Sequence, residues 1–427
     1  MRKFTLLLLL SIVCNSSLLA QQSYIYCGSL IDGKQEKIQN ELTLIIEGDK
    51  IKSIVKGYPE PDAGAEVIDL KDKTVMPGFI DLHVHLQNQS SRDNYSKGFR
   101  LNDADIALEA TQYARTTLLA GFTTVRDVGG NGVNISLRNA INRGFVVGPR
   151  IYTAGKSIAT TGGHADPTNG LRKDLMGDPG PKEGVVNGPD DACKAVRQRY
   201  KEGSDMIKIT ATGGVLSYAK DGSGPQFTDD ELRVIVETAH DYGMHTAAHA
   251  HGAAGMKRAV AAGITTIEHG TLMDEEVMDL MIEKGTYLVP TLTAGRSVAD
   301  SAKIRGYYPA IIVPKALEIG PQIQKTFAKA YNRGVKIAFG TDAGVFAHGK
   351  NAKEFMYMVE AGMPAMEAIQ SATVTAAQVL EMEDELGSLE EGKVADIVAV
   401  KGNPLEDISL LEQVDFVMKE GKVYKNE

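Results

Sequence analysis

The stretch GMHTAAHAHGAAGMKRAVAAGITTIEHG, residues 243–270, decides the fold, because a short apolar strand, a helix and a second apolar strand follow one another in it. Gly243 and Gly263 each end a helical stretch, where glycine takes the left-handed conformation at little steric cost. A strand then begins within a few residues and carries a histidine at its end, His249 or His269. Short strands that alternate with helices predict a parallel sheet with right-handed crossovers.

The same unit recurs between residues 75 and 345. The eight predicted strands cover residues 75–86, 123–127, 151–154, 206–210, 244–249, 265–269, 287–291 and 335–342. Eight such units predict an α/β fold, a (β/α)8 TIM barrel, whose active site lies at the carboxyl ends of the strands. Those ends carry His85, Lys208, His249, His269 and Asp342.

One predicted helix of this series has a clear start. Thr228 and Glu231 have the spacing of a capping box, in which each side chain bonds the other residue's backbone. Leu232, Ile235 and Ala239 follow at helical spacing, so we expect them on one buried face.

The two chain ends have a different texture, with short strand-like runs separated by turns. These runs are residues 23–27, 42–50 and 67–70 near the start, and 392–400 and 414–425 near the end. We expect the two ends to pair into one small β-sandwich domain. The predicted organisation is a signal peptide at 1–20, the β-sandwich domain at 21–74 and 386–427, and the barrel at 75–385.

The N-terminus has the pattern of a secretory signal peptide. Arg2 and Lys3 are followed by an apolar run from Phe4 to Val13 and by small residues up to Ala20. The run is too short to span a membrane as a helix, and no later run is longer. We therefore predict an exported protein, periplasmic or secreted, with no membrane span.

Charge and composition exclude some partners. Removal of residues 1–20 takes away two cations and no acids, which changes the net charge from −9 to −11. An acidic surface argues against nucleic acid as a partner. The absence of tryptophan, with 6% aromatic residues, argues against a glycan-binding barrel. Cys27 and Cys193 do not make a disulfide framework, and we expect buried thiols.

The motif His83-Val84-His85 ends the first predicted barrel strand. Residues i and i+2 of a strand point to the same side, so the two imidazoles converge on one point. Neutral imidazole nitrogens bind divalent metals. A solvated strand end that carries two histidines has the same motif, but the other strand-end residues favour a metal site.

The chain resembles the metal-dependent amidohydrolase superfamily over nearly all of its length after residue 20. The resemblance lies in PGFIDLHVH at 77–85, IKI at 207–209, HAHG at 249–252, TIEHGT at 266–271, GTDAG at 340–344 and GSLEEGKVADI at 387–397. Each fragment is modest alone, whereas the set, in this order and at strand ends, is specific. GPRI at 148–151, TGGHAD at 161–166 and ATGGVLS at 211–217 look like the prolidase-like branch of Xaa-Pro dipeptidases and carboxypeptidases, which is related to imidazolonepropionase.

This resemblance implies a site with two divalent metal ions. One ion is bound by His83, His85 and Asp342, and the other by His249 and His269. Lys208 bridges them as an N6-carboxylated lysine, because a plain ammonium has no acceptor with which to bind a cation. We expect zinc, with manganese and cobalt as alternatives for such ligands. His251 lies on the same face as His249, so either could ligate; the family pattern favours His249, with His251 near the substrate.

The resemblance also implies roles in catalysis. Asp342 takes a proton from the attacking water and passes it to the leaving amine. Substrate-binding candidates are His164 in the Gly-, Pro- and Asp-rich loop 159–190, Tyr218 and His251, and Lys220 and Arg172 are further candidates for holding a carboxylate. The expected reaction is hydrolysis of a C–N amide bond in dipeptides, Xaa-Pro or related, or in N-acyl amino acids.

Two alternatives remain open at this point. A lactam or lactone hydrolase of the imidazolonepropionase type uses a similar site, whereas deaminases typically hold one metal and need no carboxylated lysine. A non-catalytic secreted homologue that binds peptides would lack a ligand, and none is missing. Substrate side-chain preference, metal identity and a possible homo-oligomer are not fixed by the sequence.

Overall fold

The computed structural model describes residues 22–218 and 222–427. The predicted signal peptide at 1–20 and Lys220 lie outside the described residues. Among the described residues, no helix is both long and apolar enough to cross a membrane.

The strands of the described part are short, and most have buried side chains. They are β1 Gln22–Leu30, β2 Gln39–Glu47, β3 Lys50–Lys56, β4 Glu66–Pro77, β5 Phe79–Val84, β6 Phe122–Asp127, β7 Arg150–Thr153, β8 Ala159–Thr160, β9 Val185–Val186, β10 Ile207–Thr210, β11 Thr246–Gly252, β12 Thr266–Leu272, β13 Tyr287–Val289, β14 Ile397–Lys401, β15 Phe416–Lys419 and β16 Lys422–Asn426.

Helices alternate with the strands between β5 and β14. They are α1 Asn94–Lys97, α2 Asp103–Leu119, α3 Val133–Asn142, α4 Lys173–Met176, α5 Pro189–Glu202, α6 Asp229–Asp241, α7 Ala253–Ala261, α8 Glu275–Lys284, α9 Leu292–Ala302, α10 Val313–Arg333, α11 Lys353–Glu360, α12 Ala365–Ser371 and α13 Val374–Val379, with a 3₁₀ helix at Ile408–Glu412. Helix α6 begins as predicted, because the backbone N–H of Thr228 donates to Glu231 Oε2 at 2.8 Å and that of Glu231 to Thr228 Oγ1 at 3.3 Å.

The central strands confirm the α/β prediction but not a closed barrel. Parallel strands form three sheets, β5-β6-β7, β10-β11-β12-β13 and the two-stranded β8-β9. Where the eighth strand was predicted, at 335–342, the structure has isolated bridges, Leu288 with Ile337 and Val84 with Ala343. The backbone there is irregular, since Asp342 has a φ of 60° and Gly344 a φ of 115°. Such left-handed residues interrupt the pleat of a strand.

The two chain ends form one continuous seven-stranded sheet in the order β16-β15-β14-β4-β1-β2-β3. The ends join where β14 pairs antiparallel with β4, with Ile397 opposite Pro77. A β-sandwich is therefore not confirmed. Strand β4 also runs to Pro77, past the predicted boundary at residue 74. The domain boundaries themselves stay a prediction.

The two cysteines of the described part are free thiols. Cys27 is buried in the terminal sheet, and burial raises the pKa of its thiol to about 12. Cys193 is half-buried on α5, so the expectation of buried thiols holds only for Cys27.

Candidate active site

A cavity of about 200 Å³ lies at the carboxyl ends of the parallel strands. Its polar side is lined by His83, His85, His164, Lys208, His249, His251, His269 and Asp342. The structure thus brings together all six predicted metal ligands and two of the three predicted substrate-binding residues. Their positions follow from strand ends that meet at one edge of parallel sheets.

The first group of ligands surrounds Asp342. Possible ligand atoms of His83, His269 and Asp342 all lie within 4.8 Å of one another, although the sequence analysis assigned His269 to the other ion. Asp342 Oδ1 is 3.5 Å from His83 Nε2 and 3.3 Å from His85 Nε2. These separations suit ligand atoms that share one ion at about 2 Å each.

The second group of ligands contains Lys208 and the histidines of β11 and β12. In the parallel pairing of β10 with β11, Lys208 lies opposite Ala247, two residues before His249. Residues two apart on a strand face the same side, and Lys208 and His249 both line the cavity. The ring centroids of His249 and His269 are 4.7 Å apart. His251 also lines the cavity, with its ring 4.6 Å from His249, so the structure leaves the choice between the two open.

Each ligand histidine has one ring nitrogen held by a neighbour, which leaves the other free to bind. Glu268 Oε2 lies 2.7 Å from His83 Nδ1, Gly129 O 2.8 Å from His85 Nδ1, Thr291 Oγ1 2.7 Å from His269 Nδ1, and Gly213 O 3.1 Å from His249 Nε2. Partners of this kind fix the tautomer and the orientation of metal-binding histidines.

The hydrogen-bond partners of His83 and His85 indicate which ring nitrogens are acceptors. A carboxylate or a carbonyl can only accept, so neutral His83 and His85 must donate through Nδ1 and keep a lone pair on Nε2. Both lone pairs then face Asp342 Oδ1, which is buried and itself an acceptor. Three convergent acceptors repel one another unless a proton or a metal cation lies between them, and imidazole and carboxylate atoms in this arrangement fit a divalent metal ion.

Burial would lower the pKa of His85, but the hydrogen bond and the charge of Asp342 raise it overall. Burial favours the neutral form of the other predicted ligand bases. It lowers the pKa of His83 to about 4, helped by the charge of Lys208, and it lowers the pKa values of His249 and His269 well below 6.5. Burial also lowers the pKa of Lys208 to about 8, although Glu268 opposes the shift. Burial alone would raise the pKa of Asp342, but His83 and His85 lower it overall, so Asp342 stays ionised.

Two buried partners of the site were missed by the sequence analysis. Glu268 lies between His83 and Arg126, whose Nη2 donates to Glu268 Oε1 at 2.7 Å. Burial raises the pKa of Glu268, but Arg126 and His83 lower it well below its usual range. A carboxylate inside the apolar run TTIEH was the available signal, because a buried acid needs a buried partner.

Asp81 is the other missed residue, and it connects two ligands. Its Oδ1 accepts from the backbone N–H of His83 at 3.0 Å and of Thr341 at 3.1 Å. Its Oδ2 accepts from Thr341 Oγ1 at 2.6 Å and from Asn351 Nδ2 at 2.8 Å. Asp81 therefore fixes β5 against the irregular segment that carries Asp342.

Backbone strain is concentrated at the site. His269, Thr291 and Asp342 have φ values of 71°, 53° and 60°, although none of them is glycine. Each such conformation costs roughly 1–3 kcal/mol and persists only where surrounding contacts enforce it. For Asp342 one such contact is its backbone N–H, which donates to His83 O at 2.7 Å.

The other predicted substrate residues have different positions. His164 lines the cavity, its ring centroid 4.3 Å from that of His249, and its Nδ1 has no hydrogen-bond partner among the described residues. Tyr218 is 39% exposed and does not line the cavity, because its ring packs beside Gly170 instead. Arg172 is exposed and bonded to Asp174. The prediction that these two face the pocket is therefore not supported.

The chain is similar to known proteins over nearly its whole length. A sequence model of the amidohydrolase family matches residues 74–424. A crystal structure of a Xaa-Pro dipeptidase with bound methionine in the active site is 56% identical, with a TM-score of 0.92, over 95% of this chain and 100% of that one.

Two curated proteins extend the comparison. Ochratoxinase from Aspergillus niger is 33% identical over 431 residues, 95% of this chain and 87% of that protein. Imidazolonepropionase from Fusobacterium nucleatum is 25% identical over 426 residues, 91% of this chain and 92% of that protein. The resemblance found in the sequence is therefore confirmed.

Proposed function

The chain belongs to the amidohydrolase family, and we propose that it hydrolyses the C–N amide bond of dipeptides or N-acyl amino acids with two divalent metal ions. The observation that carries the proposal is the convergence of acceptor atoms of His83, His85 and Asp342 at the cavity. The similarity to a Xaa-Pro dipeptidase structure supports a dipeptide as the substrate.

The ligands divide into two sets. His83, His85 and Asp342 would hold one ion, His249 and His269 would hold the other, and an N6-carboxylated Lys208 would supply oxygen ligands. Carboxylation needs a neutral amine to react with CO2, and the burial of Lys208 favours that form. We propose zinc for both ions, since neutral imidazoles and carboxylates suit it.

When bound, the ions supply an activated water and polarise the scissile carbonyl. The residues of the chain do the remaining work. Asp342 is ionised and lies at the cavity, so it can accept the proton of the attacking water and deliver it to the leaving nitrogen. Glu268 and Thr291 hold the imidazoles of His83 and His269 in their ligand orientation during this transfer.

The size of the cavity supports a small substrate. About 200 Å³ is below the usual 300–1,000 Å³ range of sites for drug-sized ligands. We propose that His164 donates from Nδ1 to the substrate's carbonyl or carboxylate, because this atom is buried without a protein partner among the described residues. His251, fixed by Thr271 Oγ1 at 2.8 Å, is a second donor to the substrate.

A lactam or lactone hydrolase is the second candidate, and the similarity to imidazolonepropionase favours it. The deciding experiment is a turnover screen of metal-loaded protein against Xaa-Pro dipeptides, other dipeptides, N-acyl amino acids, lactams and lactones. We expect release of free amino acids from the dipeptides or N-acyl amino acids. Turnover restricted to lactams or lactones would establish the second candidate instead.

A second experiment tests how the site binds the free carboxylate of the substrate. An unpaired carboxylate in a partly dry pocket costs several kcal/mol, so the site must donate to it. Amidation of the substrate's C-terminus should therefore lower kcat/KM more than about tenfold, the effect of one charge-assisted hydrogen bond. If His164 is the donor, the kcat/KM values of the free and the amidated substrate should differ less in the variant His164→Ala than in the wild-type protein.

A further inference from the structure

The cavity has a second side that differs chemically from the ligand side. Apart from its polar residues, the lining is mostly aliphatic, and it comes from the loop after β10, from α9 and α10, and from the segment after Asp342. This apolar wall consists of Val215, Leu216, Val298, Ile319, Ile323 and Val345. The proposed hydrolytic chemistry uses none of these side chains.

The apolar wall is built by an unusually close contact between α9 and α10. A Cβ on Gly320 would lie 2.4 Å from the Cβ of Ala299 and 2.7 Å from Gly295 O. A Cβ on Gly295 would lie 2.7 Å from Cγ2 of Ile323. Glycine at these two positions lets the helices approach, and Ile319 and Ile323, one helical turn apart, then share the face that lines the cavity.

Polar contacts hold α10 in place at both ends of the apolar wall. Lys315 Nζ donates to Gly214 O at 3.1 Å and to Ser217 O at 2.7 Å, on either side of the wall residues Val215 and Leu216. Further along α10, Thr326 Oγ1 donates to Thr271 O at 2.6 Å, and Thr271 also holds His251. The apolar wall is thus fixed to the strand ends that carry the ligands.

We propose that the apolar wall binds an apolar side chain of the substrate and thereby determines the substrate preference of the enzyme. This inference rests on the proposed amide hydrolysis and names the substrate class of that site: amino-acid conjugates that carry an aliphatic or aromatic residue. A polar or charged side chain placed there would lose water without gaining a hydrogen bond from the wall. An alanine side chain would leave part of the wall uncovered.

Substrate pairs of matched shape provide the test. Leucine and asparagine side chains are close in size but differ in polarity, so kcat/KM is measured for Leu-Pro, Asn-Pro and Ala-Pro, and for Ala-Leu, Ala-Asn and Ala-Ala. At one of the two positions we expect leucine to exceed alanine by at least about tenfold and asparagine by at least about 100-fold. Equal kcat/KM for leucine and asparagine at both positions would overturn the proposal.

Matched variants on one helix assign the preference to the apolar wall. Ile319→Asn should lower the leucine-to-asparagine ratio of kcat/KM by about tenfold or more, because it places an amide in the wall. Leu317→Asn makes the same change two residues away, where the side chain is 44% exposed and does not line the cavity, and should keep the ratio. Val298→Thr, which keeps the shape of the side chain, replaces Ile319→Asn if that variant does not fold.

The outcomes separate the inference from the proposed function. If the metal-loaded protein hydrolyses none of the six dipeptides and no N-acyl amino acid, the proposed function itself fails. If the protein hydrolyses them, the proposed function stands. If the leucine-to-asparagine ratio of kcat/KM is then the same in Ile319→Asn, or in Val298→Thr in its place, as in Leu317→Asn, the role of the apolar wall is refuted.

Discussion

Among single residues, Asp342 is the one on which the proposed hydrolysis depends most, because it is both a proposed ligand and the proposed proton carrier. Asp342→Asn keeps an oxygen that can ligate weakly, but an amide cannot accept a proton at neutral pH. We expect kcat to fall at least about 100-fold, the low end for general acid–base groups, with little change in the thermal unfolding temperature. Steady-state kinetics of the variant check this.

Asp300→Asn is the matched control for that variant. Asp300 is exposed, is paired with Lys303 and does not line the cavity, so its replacement by an amide should leave kcat unchanged. An Asp342→Asn protein with more than half of the normal kcat would move the general-base role to another residue.

Lys208 tests the bridging ligand. Lys208→Ala should lose most of the bound metal and activity, because the bridging oxygens vanish while the two ions still repel each other. Added short carboxylates such as formate or propionate should restore part of the turnover. Metal analysis of the variant beside Lys303→Ala, whose ammonium is exposed, gives the comparison. Full metal content with normal turnover in Lys208→Ala would exclude the bridge.

The sequence indicated the proposed ligands better than their partners. The convergence of His83 and His85 follows from i,i+2 spacing. For Lys208, His249, His269 and Asp342, strand-end positions predicted the place, and the family resemblance implied the ligand roles. Glu268, Arg126 and Asp81 could not be assigned in this way, because most of their partners lie on distant segments of the chain, up to 270 residues away. Strand spacing says which side a residue faces, whereas the pairing across the molecule depends on the packed fold. Tyr218 is a different case, because it was proposed as a substrate-binding residue from its place next to the motif at 211–217, and it does not line the cavity.

At the scale of elements, the start of α9 is held by a buried carboxylate from α11. Glu354 Oε1 accepts from the backbone N–H of Leu292 at 2.7 Å, and its Oε2 accepts from the backbone N–H and the hydroxyl of Thr293 at 2.7 and 2.6 Å. The preceding residue, Thr291, holds His269. Glu354 thus supports the turn that orients a proposed ligand.

Glu354 also gives a prediction about pH. Burial raises its pKa from 4.5 to about 8, so between these values the folded chain binds its proton more tightly than the unfolded chain does. Its contribution to the free energy of unfolding is therefore present below pH 4.5 and is lost as the pH rises towards 8. Glu354→Gln cannot titrate, so wild-type protein should lose thermal stability relative to this variant between pH 5 and pH 8.

Melting temperatures of both proteins over that range test the pH prediction. Glu360→Gln, an exposed change on the same helix that removes the pair with Arg296, serves as the control and should follow the wild-type slope. Parallel slopes for wild type and Glu354→Gln would mean that Glu354 is ionised throughout.

The elements themselves were largely predictable, with two exceptions. The capping box of α6 and most of the alternating strands follow from periodicity and from glycines at helix ends. The segment 335–342 has the apolar pattern of a strand, but its backbone turns at Asp342 to meet His83, and apolar pattern alone does not reveal a left-handed residue. At the chain ends the strand-like runs were recognisable, but whether they stack as two sheets or extend one sheet depends on pairing between distant strands.

At the scale of the whole molecule, export is the prediction that the fold leaves open. The order of charged, apolar and small residues in 1–20 predicts cleavage, so the mature chain should begin near Gln21 outside the cytoplasm. N-terminal sequencing of protein purified from separate cell fractions tests this. An intact Met1 in the cytosolic fraction would refute export.

The main proposal for the whole molecule is that its cavity is a two-metal amide hydrolase site. The most direct measurement is the metal content of the purified protein, followed with Leu-Pro hydrolysis while a chelator removes the metal and zinc is added back. We expect about two ions per chain. Hydrolysis should be lost as the metal is removed and should return when two equivalents of zinc are added. Hydrolysis at the full rate by protein freed of metal would contradict the proposal.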